Sequence, residues 1–171
     1  MGRLENKVAI VTGGASGIGE QIVDLFCKEG AIVIAADINE EALKKAEQKE
    51  NVYGIKLNVA SDEEWENVAK EVKDRFGKID VLVNNAGISS EKTYKDINLE
   101  DWQKMLAING FGPFAGIKHV APYMAEQKSG SIVNILLIQR KSDKDLTIIL
   151  LLKELYVPFQ KQLQHNLEKV V

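Results

Sequence analysis

The segment Thr12-Gly13-Gly14-Ala15-Ser16-Gly17-Ile18-Gly19 is the most informative part of this 171-residue chain for its fold. It follows a short apolar run at residues 8–11 and precedes an amphipathic pattern that begins near Gly17. A strand, a glycine-rich turn and a helix in this order are typical of a dinucleotide-binding α/β unit. In such a turn Gly13 permits the tight bend, Gly17 lets the backbone approach a pyrophosphate, and Gly19 lets the helix pack closely on the sheet.

The start of the predicted helix is the expected anion site, because free amides and the positive end of the helix dipole lie there. Ser16 and Ile18 are predicted cofactor contacts in the same turn. The alternative is a glycine-rich loop that binds nothing, because glycines also serve ordinary turns. Asp37 favours a cofactor, since it ends the second apolar run, 18 residues beyond Gly19, where an acidic residue accepts hydrogen bonds from the adenosine ribose.

The charges around Asp37 predict NAD rather than NADP. A carboxylate repels a 2′-phosphate, and no Arg or Lys adjoins Asp37 in the sequence or lies within the glycine turn. The adjacent Ile38 is also a predicted cofactor contact. A competing interpretation makes Asp37 the N-cap of the next helix, a role that Asn39 could fill equally well.

Apolar runs rich in Val and Ile alternate with helical patterns along the first 135 residues, which predicts a doubly wound parallel sheet with helices on both faces. Ser61 and Glu64 have the spacing of a capping box at a helix start. Strands are predicted near residues 7–12, 31–36, 52–58, 79–84 and 131–135, and helices near 17–29, 40–49, 62–76 and 100–126.

The composition is that of an ordinary globular protein, with 45% hydrophobic residues, 27% charged residues and a formal net charge of -3. That balance argues against nucleic acid as a partner. The single cysteine, Cys27, excludes an internal disulfide and a thiolate metal cluster, and neither His119 nor His165 has metal-site spacing, so no metal is expected. No secretory signal begins the sequence and no apolar run approaches the ~20 residues that span a bilayer, so we expect a cytoplasmic protein without a membrane partner.

The pattern Thr12-Gly13-x-x-x-Gly17-x-Gly19, together with Asn84-Asn85-Ala86-Gly87, resembles the short-chain dehydrogenase/reductase family over residues 4 to about 135. The resemblance implies a Rossmann-type sheet of strand order 3-2-1-4-5 and an oxidoreductase that moves hydride between a nicotinamide and an alcohol/ketone substrate. It also implies that Asn85, Ala86 and Gly87 line the adenine and ribose side of the site.

By the same likeness Asn58 and Val59 flank the adenine ring. The family more often has Asp at the position of Asn58, but an Asn carbonyl can still accept a hydrogen bond from the adenine amino group. Asn109 matches the active-site Asn of the family, which bends the long helix and holds a water for proton relay. The alternative for Asn109 is a helix-interior side chain with local hydrogen bonds. The helix at residues 100–126 pairs subunits in the family, which implies a homo-oligomer.

The resemblance stops after Ile135. The family continues with serines and a Tyr-x-x-x-Lys helix, whereas this chain continues with Leu136-Leu137, and Tyr156 has Gln160 four residues later. Residues 136–171 also contain no glycine, so we divide the chain into an NAD-binding domain at 1–135 and a divergent tail at 136–171.

This abrupt change indicates a changed reading frame or altered splicing, and it leaves two functional hypotheses. The first is an NAD-dependent oxidoreductase of the short-chain type. The second is a truncated or frameshifted remnant that binds NAD without catalysis.

Overall fold

A computed structural model of the chain describes residues 2–90, 92 and 95–135. The sequence features noted in the tail, from Leu136 to Val171, lie outside these described residues. The elements are β1 (Val8–Thr12), α1 (Gly17–Lys28), β2 (Ile32–Asp37), α2 (Glu40–Ala46), β3 (Val52–Lys56), α3 (Asp62–Phe76), β4 (Val81–Asn84), α4 (Leu99–Leu106), a π-helical turn (Ala107–Phe111), α5 (Gly112–Glu126) and β5 (Ser131–Asn134).

The five strands form one parallel sheet in the order β3-β2-β1-β4-β5, as predicted. The central strand β1 pairs with both neighbours, with Ala9 opposite Val33 on one side and Val81 on the other. Every residue of β1 is buried, which explains its uninterrupted apolar sequence before Thr12. Because all strands are parallel, the loops that follow β1, β2, β3 and β4 meet at one edge of the sheet, called here the carboxyl edge.

A separate hydrophobic core lies on each face of the sheet. On one face α3 and α5 cover the sheet, and Trp65 of α3 is fully buried there beside Leu82 and Val120. On the other face α1 and α2 cover it, with Val23 and Leu43 packed in the same cluster as strand residues. Covering both faces hides the apolar side chains that alternate along each strand.

The predicted helix at residues 100–126 is interrupted in the structure, where α4 and α5 are separated by the π-helical turn Ala107–Phe111. The physical reason lies in the sequence that follows Asn109. Pro113 has no N–H to donate to the carbonyl of Asn109, so an α-helical hydrogen bond cannot form there. Within the described residues, no helix is both long enough and apolar enough to cross a membrane.

Candidate functional site

At Gly19, the glycine turn between β1 and α1 is too tightly packed for a larger residue. A Cβ placed on Gly19 would lie 1.9 Å from the carbonyl oxygen of Gly13. Gly13 and Gly17 have positive φ angles of 62° and 54°, in the left-handed region that favours glycine. A Cβ on Gly17 would meet nothing within 4 Å, so open space lies beside this part of the turn.

Thr12 joins the end of β1 to the segment after β4, a role that the sequence alone did not reveal. Its hydroxyl accepts hydrogen bonds from the amides of Asn85 (2.9 Å) and Ala86 (3.0 Å) and donates to the carbonyl of Val83 (3.3 Å). The side chain is almost fully buried. A buried hydroxyl at the end of an otherwise apolar strand was the available signal, since such groups need internal partners.

Asn85 and Ala86 pack directly against the glycine turn. The Asn85 side-chain amide donates to the carbonyl of Thr12 at 2.9 Å and lies 3.5 Å from that of Gly13. The backbone of Ala86 would lie 3.2 Å from a Cβ on Gly13. The structure therefore brings these two predicted site residues against the turn itself, while Gly87 is exposed beyond them.

Asp37 lies at the carboxyl end of β2 and binds the turn directly. One carboxylate oxygen accepts from the amide of Ala15 at 3.2 Å and the other from the amide of Asn39 at 3.1 Å. The N-cap of α2 is Asn39, whose side chain accepts from Ala42. The N-cap interpretation of Asp37 is therefore wrong, and each of its oxygens keeps a lone pair for a further donor.

Two large apolar side chains are exposed close in sequence to these polar groups. Ile18 of the glycine turn is 59% exposed and Ile38, next to Asp37, is 63% exposed. Exposed aliphatic side chains at the rim of a polar site can cover the apolar surface of a ligand.

The start of α1 differs from the starts of the other helices at the carboxyl edge. Side chains cap α2, α3 and α4, where Asn39, Ser61 and Asn98 each accept a hydrogen bond from a first-turn amide. Ser16 occupies the same position in α1, but its hydroxyl accepts no such bond. The first-turn amides of α1 are therefore left uncapped by Ser16 and available to an anion.

The segment after β3 is held by the first turn of α3. The amide of Asn58 donates to Glu64 Oε2 at 2.7 Å, and Asn58 Oδ1 accepts from the amide of Ala60 at 3.1 Å. Glu64 thus reaches Asn58 rather than the backbone of Ser61, so only half of the predicted capping box forms. Val59 is buried, and its carbonyl accepts from the Trp65 indole.

Asn109 lies in the π-helical turn and binds the segment after β4. Its Oδ1 accepts from the amide of Ile88 and its Nδ2 donates to the carbonyl of Ile88, both at 2.8 Å. A Cβ on Gly87 would lie 3.3 Å from the same Oδ1. The partner is 21 residues away, so the interpretation of Asn109 as locally bonded is wrong.

One nearly buried carboxyl group away from the carboxyl edge, that of Asp80, has a lowered pKa. Burial on its own raises the pKa of Asp80, but hydrogen bonds from the Val8 amide and from Lys7 and Lys78 outweigh it and hold the pKa below its ordinary value. Its carboxylate is at the opposite edge of the sheet, where β4 begins. Among the described residues, no group of three or more His, Cys, Asp or Glu side chains is placed to hold a metal ion.

Comparisons with known proteins find similar sequences and structures. The family model for short chain dehydrogenase matches residues 7–140. The chain is 42% identical over 138 residues to the 3-oxoacyl-(acyl-carrier-protein) reductase FabG of Thermotoga maritima, covering 78% of this chain and 56% of the relative. It is 41% identical over 138 residues to short-chain dehydrogenase reductase 3a of Arabidopsis thaliana, covering 77% of this chain and 53% of the relative.

The solved structure of a short-chain dehydrogenase from Streptomyces avermitilis is also similar, with a TM-score of 0.70 and 34% identity. That superposition covers 75% of this chain and 48% of the other. The chain spans about half the length of the curated relatives it matches.

Proposed function

Because this chain belongs to the short-chain dehydrogenase family, we propose that it binds NAD at the carboxyl edge of its sheet. We further propose that it acts in hydride transfer between the nicotinamide and an alcohol/ketone substrate. The observation that supports this most directly is the uncapped start of α1 next to Asp37. A helix start attracts a pyrophosphate, and a carboxylate accepts from ribose hydroxyls.

The residues present fit such a cofactor. The amides after Ser16 and the open space beside Gly17 leave room for a pyrophosphate at the turn. Asp37 would accept from the adenosine ribose while it keeps its bond to Ala15, and the exposed Ile38 would cover apolar ring surface. When bound, the nicotinamide supplies or accepts the hydride, and the protein binds and orients it.

The proposed preference for NAD over NADP depends on the charges near the ribose. Asp37 would repel a 2′-phosphate. Lys56 is distant from Asp37 in the sequence, but the sheet brings the two together, because Lys56 is the register partner of Asp37 on β3. Its ammonium binds the Glu40 carboxylate at the start of α2. That ion pair supports NAD, because it offsets the nearby positive charge.

We assign Asn109 to the nicotinamide end of the proposed site. Its two hydrogen bonds fix the backbone of Ile88 beyond Gly87, at the carboxyl end of β4. The proposed role is to hold this segment, and with it a water for proton relay. The Ser and Tyr-x-x-x-Lys that the family would place in residues 136–171 are not found in the sequence of this chain, and those residues lie outside the described part.

A titration and a turnover assay test this function on the full chain. NADH fluorescence should change on binding, and a panel of secondary alcohols with NAD should give NADH absorbance. Binding with turnover supports the oxidoreductase, and no binding contradicts the cofactor assignment. The noncatalytic remnant, which family membership does not favour, would show binding without turnover across the panel.

Two further expectations stay predictions. A homo-oligomer through residues 100–126 would appear in sedimentation analysis as a mass above that of one chain. The cytoplasmic location is checked by fractionation of cells that express the protein.

A further inference from the structure

The segment that follows β3 is tied to the residue we assign to the ribose. The amide of Leu57 donates to the backbone carbonyl of Asp37 at 3.0 Å. Asn58 is the next residue, so it lies immediately beyond Asp37 along the carboxyl edge. A cofactor whose ribose binds Asp37 would therefore place its adenine close to Asn58, and the orientation of Asn58 would affect how the ring is bound.

Nearly every polar group of Asn58 has a partner within the described residues. Its amide donates to Glu64, its carbonyl accepts from the amide of Ser61 at 2.9 Å, and its Oδ1 accepts from the amide of Ala60. The amide of Ala60 can only donate, which fixes Oδ1 on that side. The Nδ2 group is then the one directed to other partners, and the acceptors on a purine edge are ring nitrogens.

Glu64 is the charged group in this arrangement, and α3 holds it in place. The amide of Glu64 donates to the Ser61 hydroxyl at 3.2 Å, and the next residue, Trp65, is fully buried. The 2.7 Å contact to the Asn58 amide is a charge-assisted hydrogen bond, which is shorter and stronger than a neutral one. Its acceptor comes from a rigid helix, so the segment is fixed before any ligand arrives.

We propose that Glu64 is a positioning residue for the adenine end of the cofactor. Its carboxylate fixes the backbone of Asn58 so that the Asn58 Nδ2 donates to an adenine ring nitrogen. This differs from the expectation that the Asn58 carbonyl accepts from the adenine amino group. The inference rests on the proposed dinucleotide site, and it concerns the adenine half alone.

Calorimetric titration of the full chain with two half-cofactors tests this role. The probes are 5′-AMP, which contains the adenine, and nicotinamide mononucleotide, which does not. Glu64→Ala removes the acceptor and should raise the Kd for AMP about tenfold. Glu64→Gln keeps a neutral acceptor and should raise it about threefold. Neither variant should change the Kd for nicotinamide mononucleotide by more than about twofold.

Glu63 offers a matched control, because it is exposed and lies in the same helical turn. Glu63→Ala and Glu63→Gln change the local charge equally and should leave both Kd values unchanged. Equal losses for both probes in Glu64→Gln, or no loss for AMP, would overturn the positioning role. A wild-type chain that binds neither NAD nor AMP would instead overturn the proposed function.

Discussion

The helices α1 and α3 both begin at the carboxyl edge of the sheet, but their first turns are completed in opposite ways. At α3 the hydroxyl of Ser61 and the carboxylate of Glu64 bind backbone amides of the chain itself. At α1 the hydroxyl of Ser16 makes no such bond, and open space lies beside the next residue, Gly17. The amides at the start of α3 are therefore satisfied within the fold, whereas those at the start of α1 are suited to a ligand.

Gly19→Ala, in the first turn of α1, should have the strongest effect of the substitutions considered. The added Cβ would overlap the Gly13 carbonyl, so the start of α1 must move away from the turn. We expect a loss of about 3 kcal/mol from the overpacking and a rise in the Kd for NADH of roughly 100-fold. NADH fluorescence titration measures the Kd, and urea unfolding measures the stability.

A control for Gly19→Ala is Gly77→Ala, which lies at the C-cap of α3 with a φ of 78° and open space around it. This variant should lose stability from backbone strain while its Kd for NADH stays at the wild-type value. Wild-type affinity in Gly19→Ala would contradict the assignment of the turn to the cofactor.

The next strongest effect on cofactor binding is expected at Asp37, the hydrogen-bond acceptor beside the uncapped start of α1. Asp37→Arg replaces a ribose acceptor by a phosphate partner, and it should move the ratio of NAD to NADP affinity toward NADP by about 10- to 100-fold. Asp37→Asn should weaken NAD with a smaller shift in the ratio, because it removes charge and keeps an acceptor for Ala15. An unchanged ratio in Asp37→Arg would defeat the assignment of this residue.

The opposite edge of the sheet should respond to Asp80→Asn in stability but not in cofactor affinity. The Asp80 carboxylate is nearly buried and binds the amide of Val8 and the ammonium groups of Lys7 and Lys78. Its substitution should cost about 1–3 kcal/mol near pH 7. Because the pKa of Asp80 is lowered on folding, its stabilisation is present above the ordinary value of about 4 and is lost as the pH falls through the lower folded value.

Urea unfolding at a series of pH values from 7 to 3 measures this contribution. The gap in stability between wild type and Asp80→Asn should narrow toward acid pH. A stability gap that stays constant with pH would contradict the role of the Asp80 charge. A changed Kd for NADH would contradict the conclusion that Asp80 lies away from the cofactor site.

A pair of serine substitutions tests directly whether the starts of α1 and α3 differ in function. Ser61→Ala removes a capping bond and should cost about 1 kcal/mol of stability, and because that bond also holds Glu64, the Kd for NADH should rise by less than about twofold. Ser16→Ala removes no capping bond, so its stability should stay within about 0.5 kcal/mol of wild type, and its Kd for NADH should rise about threefold. The opposite pattern in the two variants would show that the two starts do not differ in function.

Several parts of this arrangement follow from local sequence. The alternation of strands and helices along the chain follows from apolar periodicity, and the tight turn follows from Gly13 and Gly17, whose positive φ angles favour glycine. The role of Thr12 and the reach of Glu64 to Asn58 were not predictable in the same way. Each depends on segments that the fold brings together, and a sequence pattern specifies a donor without specifying its distant partner.

The interruption of the long helix shows the same limit. The family resemblance implied a bend at Asn109, but a π-helical turn also requires something to hold it. The structure identifies the two bonds between Asn109 and Ile88, which join residues 21 positions apart.

The smallest expected effect tests the charge beside Asp37. Glu40→Gln removes the carboxylate that binds Lys56, the register partner of Asp37, and should improve NADP affinity about twofold at low salt. The gain should disappear at about 1 M salt, because exposed charges are screened there. Glu41→Gln, an equal charge change in the same turn, should have no effect. Since the freed ammonium is the proposed cause, Glu40→Gln should also have no effect in a Lys56→Met background, and a gain that persists there would show that Lys56 is not involved.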